Sequence, residues 1–248
     1  MRWEIHINPK FEDLSKFISE IPDNYDNLGR LMHKGRNEIK IIEKDETTIT
    51  IKYFKRITLA NRLIYATIRK SKSQRSFENS MHLLGKGIAT PEPIAYINSY
   101  KHGLLYKSYY ISAYSNYKPL SELLELSIQE SEKALKAFAK FTHKLHNSGI
   151  VHNDYTVSNI LYNQEGEEYK FSLIDNNRMS FRKYTYSRKI KDLERLKIPV
   201  DKMGIIAAEY AKQSNESDLR TLNAMLFFRI RYVIGNKMRR RIKAVLSF

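Results

Sequence analysis

Three residues near the middle of the chain have the types and spacing to carry out phosphoryl transfer. His152, Asp154 and Asn159 stand as H-x-D-x-x-x-x-N, and the apolar run Ile160-Leu161-Tyr162 follows at once. An aspartate at the start of such a loop can accept the proton of an attacking hydroxyl. An amide five residues later can turn back to hold a metal ion on the phosphates. The segment Tyr162–Tyr169 then reads as a hairpin turn, and the strand Phe171–Ile174 delivers Asp175 at its end as a second metal-holding residue. The predicted catalytic set is therefore Asp154, Asn159 and Asp175, with Asn159 and Asp175 holding metal.

Three groups at such spacings arise by accident often enough that context must decide. The context is consistent: a helical run from Ala134 to Leu145, then the loop, a strand, a hairpin and a strand ending in an acid. Upstream, Thr47 to Phe54 alternates Thr48, Thr50, Lys52 and Phe54 against Ile49, Ile51 and Tyr53, the period of a half-buried strand. Lys52 shares its face with the small residue Thr50, an arrangement that lets a strand lysine meet a nucleotide. Glu78 is the only acid between Glu46 and Glu92, among nine bases, on a helix predicted from Ser71 to Lys86. Phe77, Met81 and Leu84 form that helix's expected apolar face, with Glu78 on its border, reaching back to Lys52 as an ion pair.

Two glycines, Gly29 and Gly35, flank an extended stretch in which Gly35 and Arg36 are candidates for a phosphate-covering loop, although G-x-G-x-x-G is absent. An ordinary hairpin turn at Lys34-Gly35 explains the same residues equally well. Strands are expected at Ile94–Asn98 and Leu104–Tyr114. Ser112-Ala113-Tyr114-Ser115 is the expected hinge, where adenine meets backbone near Ser112 and Tyr114. Helices are expected at 120–126, 131–145, 189–196, 203–212 and 219–233, within residues 1–47 only a lead-in and the first strands. His143 and His146 lack the adjacent glutamate of a zinc helix and read as packing residues near the loop.

These features resemble the lipopolysaccharide-core sugar kinases, which phosphorylate Kdo or heptose and are compact relatives of the protein kinases and RIO kinases. The resemblance rests on Lys52, Ser71–Glu78, Gly87–Ile94, the His152 loop and Ile174-Asp175, spanning about residues 30 to 200. It implies an α+β, two-lobed protein-kinase-like fold: one domain, 1–248, with an antiparallel-sheet N-lobe at 1–112 and a reduced, mainly helical C-lobe at 113–248. It also implies ATP and Mg²⁺, and a sugar hydroxyl of a lipopolysaccharide precursor as acceptor. The chain departs from protein kinases where Asn153 replaces the arginine of H-R-D, Thr156 replaces a lysine, Asn176-Asn177 replaces Phe-Gly, and no Ala-Pro-Glu follows. The expectation is a small-molecule kinase that needs no activating phosphorylation.

Composition narrows the alternatives. The 248 residues contain no cysteine, which excludes disulfides and thiolate metal sites, and no apolar run approaches a bilayer span. The N-terminus lacks a signal-peptide core, which fits a cytoplasmic location, and the resemblance implies a peripheral place on the inner face of the inner membrane of a Gram-negative bacterium. The net charge of +16 and a pI near 9.7 call for an anionic partner. No nucleic acid is expected, because no finger, aromatic strand motif or Gly-x-x-Gly clamp is present. The acid-free run from Phe227 to Phe248 mixes seven bases with apolar residues, and meets either solvent or an anionic membrane. Three rivals remain: an atypical protein Ser/Thr kinase, a pseudokinase that binds nucleotide without turnover, and a basic nucleic-acid-binding module.

Overall fold

The alternation around Lys52 does produce a strand. In the structure, a computed structural model describing residues 1–44, 47–55 and 69–245, it is β4 (Thr47–Tyr53). Its neighbours complete a six-stranded antiparallel sheet in the order β1-β5-β6-β4-β3-β2, with β1 (Arg2–Ile7), β2 (Arg30–Lys34), β3 (Glu38–Lys44), β5 (Pro93–Lys101) and β6 (Leu104–Ala113). The chain divides into two compact units, Met1–Asn116 and Tyr117–Phe248, and this sheet belongs to the first.

The two faces of the sheet do different work. On one, Ile49, Ile51, Ile97, Tyr109 and Ile111 meet Leu14, Ile18, Ile21 and Tyr25 of an N-terminal helical segment that includes α1 (Ser15–Asn24). Burying each isoleucine contributes about 1.5–3 kcal/mol, so this face is the apolar anchor of the unit. Helix α1 was unexpected in a stretch read as lead-in and strands; it carries Pro22 within it and has no side-chain N-cap, so neither usual boundary marker is present.

The opposite face is polar. It carries α2 (Lys72–Gly85), capped by Ser71 and closed by Gly87 in the left-handed region, with the amides of Gly87 and Ile88 returning to Leu84 and Leu83. The expected apolar face is corrected here. Met81 and Leu84 are 41% and 37% exposed, whereas Ser73, Ser76, Phe77, Ser80 and Leu83 are buried. The reason lies in the sheet, which presents Asn98, Ser108 and Tyr110. Ser73 donates to Asn98 Oδ1 at 2.8 Å, Ser108 donates to Ser73 at 2.8 Å, and the Tyr110 hydroxyl donates to Ser80 at 3.2 Å. Tyr110 stands opposite Lys52 in the β4–β6 ladder, so Lys52 is on the α2 side of the sheet.

In the second unit, α4 (Ile128–Asn147) begins at a capping box formed by Ser127 and Glu130, three residues before the expected start. Its buried face, including Leu135, Phe138, Thr142, Leu145 and His146, packs on α6 (Val200–Ser214). The short α3 (Leu120–Glu125) precedes it. The expected hairpin forms from β9 (Ile160–Glu165) and β10 (Glu168–Leu173), turning at Gly166 with φ +59°, and β7 (Lys118–Pro119) pairs with β9. A second pair joins β8 (Ile150–Val151) to β11 (Ser180–Phe181). Helix α5 (Tyr186–Asp192) follows, and α7 (Asp218–Val245) runs twelve residues beyond the expected end at Val233. Lysine, arginine, methionine and alanine sustain the helix there although most of the described residues in it are exposed.

The serine seam beneath α2 gives a test. Ser73→Ala leaves Asn98 Oδ1 without its buried donor and is expected to cost about 1–3 kcal/mol in urea unfolding. A loss below about 0.5 kcal/mol would show that the seam does not anchor the helix.

Candidate active site

The loop that carries Asp154 is held from beneath by one carboxylate. Asp192, at the end of α5 and almost wholly buried, accepts the backbone N–H of His152 at 2.8 Å through one oxygen and that of Asn153 at 2.9 Å through the other. His146 Nε2 stands 3.5 Å from the same carboxylate, and its Nδ1 lies 2.9 Å from the Tyr210 hydroxyl. Burial alone would raise the Asp192 carboxyl, but hydrogen bonding by His146 and by the backbone N–H of His152 outweighs it and holds the group below the usual carboxylate range.

His152 is fully buried and wired on both sides of its ring. Nε2 lies 3.1 Å from the carbonyl of Ile174, which can only accept, so Nε2 carries the proton. Nδ1 accepts the Asp154 N–H at 3.3 Å. Burial pushes the imidazole below its ordinary value and keeps it neutral. Asn153 occupies the left-handed region at φ 62°, which asparagine tolerates, and its amide donates to Arg178 O and Ser180 Oγ, both at 2.8 Å, while its oxygen accepts from Arg188. The residue that replaces the arginine of H-R-D thus ties the loop to the segment around β11. Gly149 permits that approach, because a Cβ there would lie 2.9 Å from Arg182 O.

Within this frame the three predicted catalytic residues are brought together. Asn159 Nδ2 donates to Asp154 O at 2.9 Å, and Asn159 O accepts the Ile174 N–H at 3.0 Å, setting Asp175 one residue further along the adjacent strand end. Asp175 takes the left-handed conformation, φ 61° and ψ 45°, and its Oδ1 accepts from Asn177 Nδ2 at 2.5 Å. The Asp154 carboxylate is gripped by two guanidiniums, Arg195 on Oδ1 and Arg178 at 3.3 Å from Oδ2. Arg195 also donates to Asn153 O at 3.3 Å and to the Tyr232 hydroxyl at 3.1 Å.

The residues assigned to the nucleotide lie in the first unit. Lys52 Nζ lies 5.5 Å from the centre of the Phe54 ring. Glu78, on α2, accepts Lys70 Nζ at 2.8 Å on both oxygens and Gln74 Nε2 at 3.1 Å on one. Gly35 and Arg36 are exposed in the turn joining β2 to β3, where the Gly35 N–H meets Asn37 O at 3.0 Å. Ser112 is buried within β6 and pairs with Thr50 and Pro93. Just beyond, the amides of Ala113 and Tyr114 are taken by Glu92 O at 2.8 Å and Thr48 O at 2.9 Å, which leaves a carbonyl rather than an amide for adenine at Tyr114.

Asp192, Arg178, Arg195 and Tyr232 were not anticipated. Asp192 lies about 40 residues from the amides it holds, so no local spacing reveals it. One signal was available. From residue 176 to 191 the chain has six bases and no acid before Asp192, although Glu194 follows two residues later, so the isolation is one-sided and weaker than that of Glu78.

Fold and site together define a small phosphotransferase of the kinase type. The model of the lipopolysaccharide kinase (Kdo/WaaP) family matches residues 34–217, and the chain belongs to that family. It is an ATP-dependent kinase that phosphorylates a sugar hydroxyl of a lipopolysaccharide precursor. Among solved structures it is similar to WaaP in complex with acyl carrier protein, at 16% identity and TM-score 0.64 over 95% of this chain and 99% of that one. It is also similar to a microcompartment-associated aminopropanol kinase, at 11% identity and TM-score 0.50 over 87% and 86%. No curated protein matches the chain in sequence.

The neutral His152 sets a pH dependence. Its folded value lies below the ordinary 6.5, so the stability it contributes is present above about 6.5 and is lost as pH falls toward the folded value. His143, lowered by burial, acts in the same direction, whereas the lowered Asp192 contributes stability that is lost only in stronger acid. Unfolding free energy is therefore expected to fall between pH 7 and pH 5, by at most about 1.4 kcal/mol per pH unit for each proton. His152→Gln is expected to flatten that slope; an unchanged slope would remove His152 from the account.

Proposed function

We propose that Asp154 is the base of this kinase and that Asn159 and Asp175 hold Mg²⁺. The observation that carries the reading is the Asn159 side chain. Its Nδ2 is committed to Asp154 O, so Oδ1 is the atom left to face a metal, on a strand end hydrogen-bonded to the one that delivers Asp175. One carboxylate and one amide oxygen, completed by phosphate oxygens and water, suit the octahedral oxygen preference of Mg²⁺. When bound, Mg²⁺ neutralises charge on the phosphates of ATP.

In the proposed reaction an Asp154 oxygen accepts the proton of the acceptor hydroxyl as the sugar oxygen attacks the γ-phosphorus. The bond from that phosphorus to the β,γ-bridging oxygen breaks, giving ADP and the phosphorylated sugar. Arg178 and Arg195 fix the carboxylate's orientation beforehand, so little reorganisation remains at the moment of transfer. Lys52 grips the phosphates, and Glu78, which pairs with Lys70 here, is its proposed brace. Gly35 and Arg36 cover them, and the backbone near Ser112 and Tyr114 receives adenine.

Three substitutions test the assignment. Asp154→Asn is expected to lower kcat by about 10²–10⁴ with the thermal midpoint nearly unchanged. Asp175→Asn is expected to abolish the Mg²⁺ dependence of nucleotide binding, and Lys52→Ala to raise the KM for ATP. Transfer within a few-fold of the parent in Asp154→Asn would remove it as base, and unaltered Mg²⁺ dependence in Asp175→Asn would place the metal elsewhere.

The surface reading is refined by α7. Among the described residues no helix is long and apolar enough to cross a membrane. Along this helix the run keeps its expected mixture of bases and apolar groups, its last three residues, 246–248, lying outside the described residues. Phe227, Ile234, Met238 and Val245 recur at near-helical spacing, exposed by 54% or more together with Ile230 beside them. We assign this stripe to an anionic membrane surface at the site of the lipid-anchored acceptor, with flanking arginines contributing about 1 kcal/mol each. The expected result is sedimentation with anionic but not neutral liposomes, reversed by salt and weakened by Ile234→Ser with Arg239→Ser. Equal sedimentation with both, or capture by acyl carrier protein in place of liposomes, would contradict the membrane assignment.

A further inference from the structure

A cavity of about 660 Å³ lies against α7, and its lining is unusual in sign. Lys197, Arg229, Lys237, Arg240 and Arg241 surround it, with Tyr232 and Asn236 as polar neighbours and no acid. Among the described residues none of these five cations forms an ion pair. Like charges gathered around one concavity repel, and an oxyanion placed among them relieves that repulsion. The volume lies within the range of small-ligand sites and has room for a charged sugar.

The cavity is also wired to the catalytic loop. Tyr232, in its wall, accepts from Arg195 Nε at 3.1 Å, and the same guanidinium reaches Asp154 Oδ1 and Asn153 O. Tyr232 is drawn toward ionisation, since bonds from Arg195 and Asn236 together with the charge of Arg195 outweigh burial. A wall residue of the cavity thus lies two hydrogen bonds from the carboxylate that receives the acceptor's proton.

We infer that this cavity is the acceptor's anion-binding subsite: it takes a phosphate or carboxylate carried by the acceptor glycan, and Tyr232 with Arg195 couples its occupancy to the position of Asp154. The coupling rests on the reading of Asp154 as base; the anion site does not. Arg195 and Tyr232 are positioning residues, and the cavity cations determine specificity. An acceptor bearing an anion at the right distance from its reactive hydroxyl is then preferred to a neutral one, because loss of each charge-assisted contact weakens binding by about tenfold.

The test uses the full chain and two kinds of probe. The first is inorganic phosphate, titrated calorimetrically at fixed ionic strength into the parent, into Lys237→Ser/Arg240→Ser/Arg241→Ser, and into Lys86→Ser/Lys101→Ser/Lys212→Ser, which removes the same charge elsewhere. Binding weakened at least tenfold in the cavity variant alone supports the site. Equal weakening in both variants, or in neither, overturns it. The second probe is a pair of glycan acceptors, one with its phosphate and carboxylate groups intact and one with them removed. In the cavity variant the KM for the charged acceptor is expected to rise at least tenfold, to that of the neutral one, with the KM for ATP unchanged. A charged acceptor that keeps its advantage overturns the assignment to the acceptor, and phosphate or carboxylate alone on the glycan tells which anion is read. Tyr232→Phe is expected to leave phosphate binding intact while shifting the pH profile of kcat; an unshifted profile overturns the coupling. If no glycan is phosphorylated yet phosphate binding is still lost in the cavity variant, the acceptor reading fails and the anion site stands.

Discussion

One buried carboxylate carries the catalytic half of the molecule. Asp192 accepts two consecutive backbone amides of the His152 loop, and without it those N–H groups would be buried with no partner. Its charge persists in the interior because His146 and His152 lie beside it. A buried charge without partners would cost several kcal/mol, so the arrangement holds as a set and fails as a set. The positions of Asp154, Asn159 and Asp175 follow: His152 reaches Ile174, Asn159 reaches both Asp154 and Ile174, and each hydrogen bond fixes the next.

The same economy of connection explains a departure from protein kinases. There the H-R-D arginine reads a phosphorylated segment; here Asn153 fills that place with a left-handed backbone and uses its short amide to hold the chain near β11. The arginines that approach this loop, Arg178 and Arg195, meet the carboxylate of Asp154, and Arg195 continues to Tyr232 on the last helix. Helix α7 thereby carries exposed apolar side chains and also lines a cationic cavity.

Much of this was legible in the sequence, for a physical reason. The catalytic loop, the hairpin after it and the Lys52 strand are local structures whose chemistry depends on short spacings, and such patterns survive in one dimension. Long-range partners do not. Asp192 and Arg195 reach Asp154's loop across about 40 residues, and no local spacing points to either. The buried face of α2 was misread because burial was equated with apolar side chains, whereas the sheet beneath it is lined with serine, asparagine and tyrosine and selects serines in return. The end of α7 was missed because apolar periodicity reports packing, and most of the described residues in the last turns of this helix are exposed.

The central claim is that this arrangement phosphorylates a sugar. The most direct measurement is transfer of the labelled γ-phosphoryl of ATP to a panel of Kdo-containing glycans, heptose-containing glycans and protein acceptors, with mass spectrometry of the products. The account predicts one added phosphate on a sugar hydroxyl of an inner-core glycan and none on protein. Label on serine or threonine of a protein acceptor, or nucleotide bound with no label transferred to any acceptor, would contradict it.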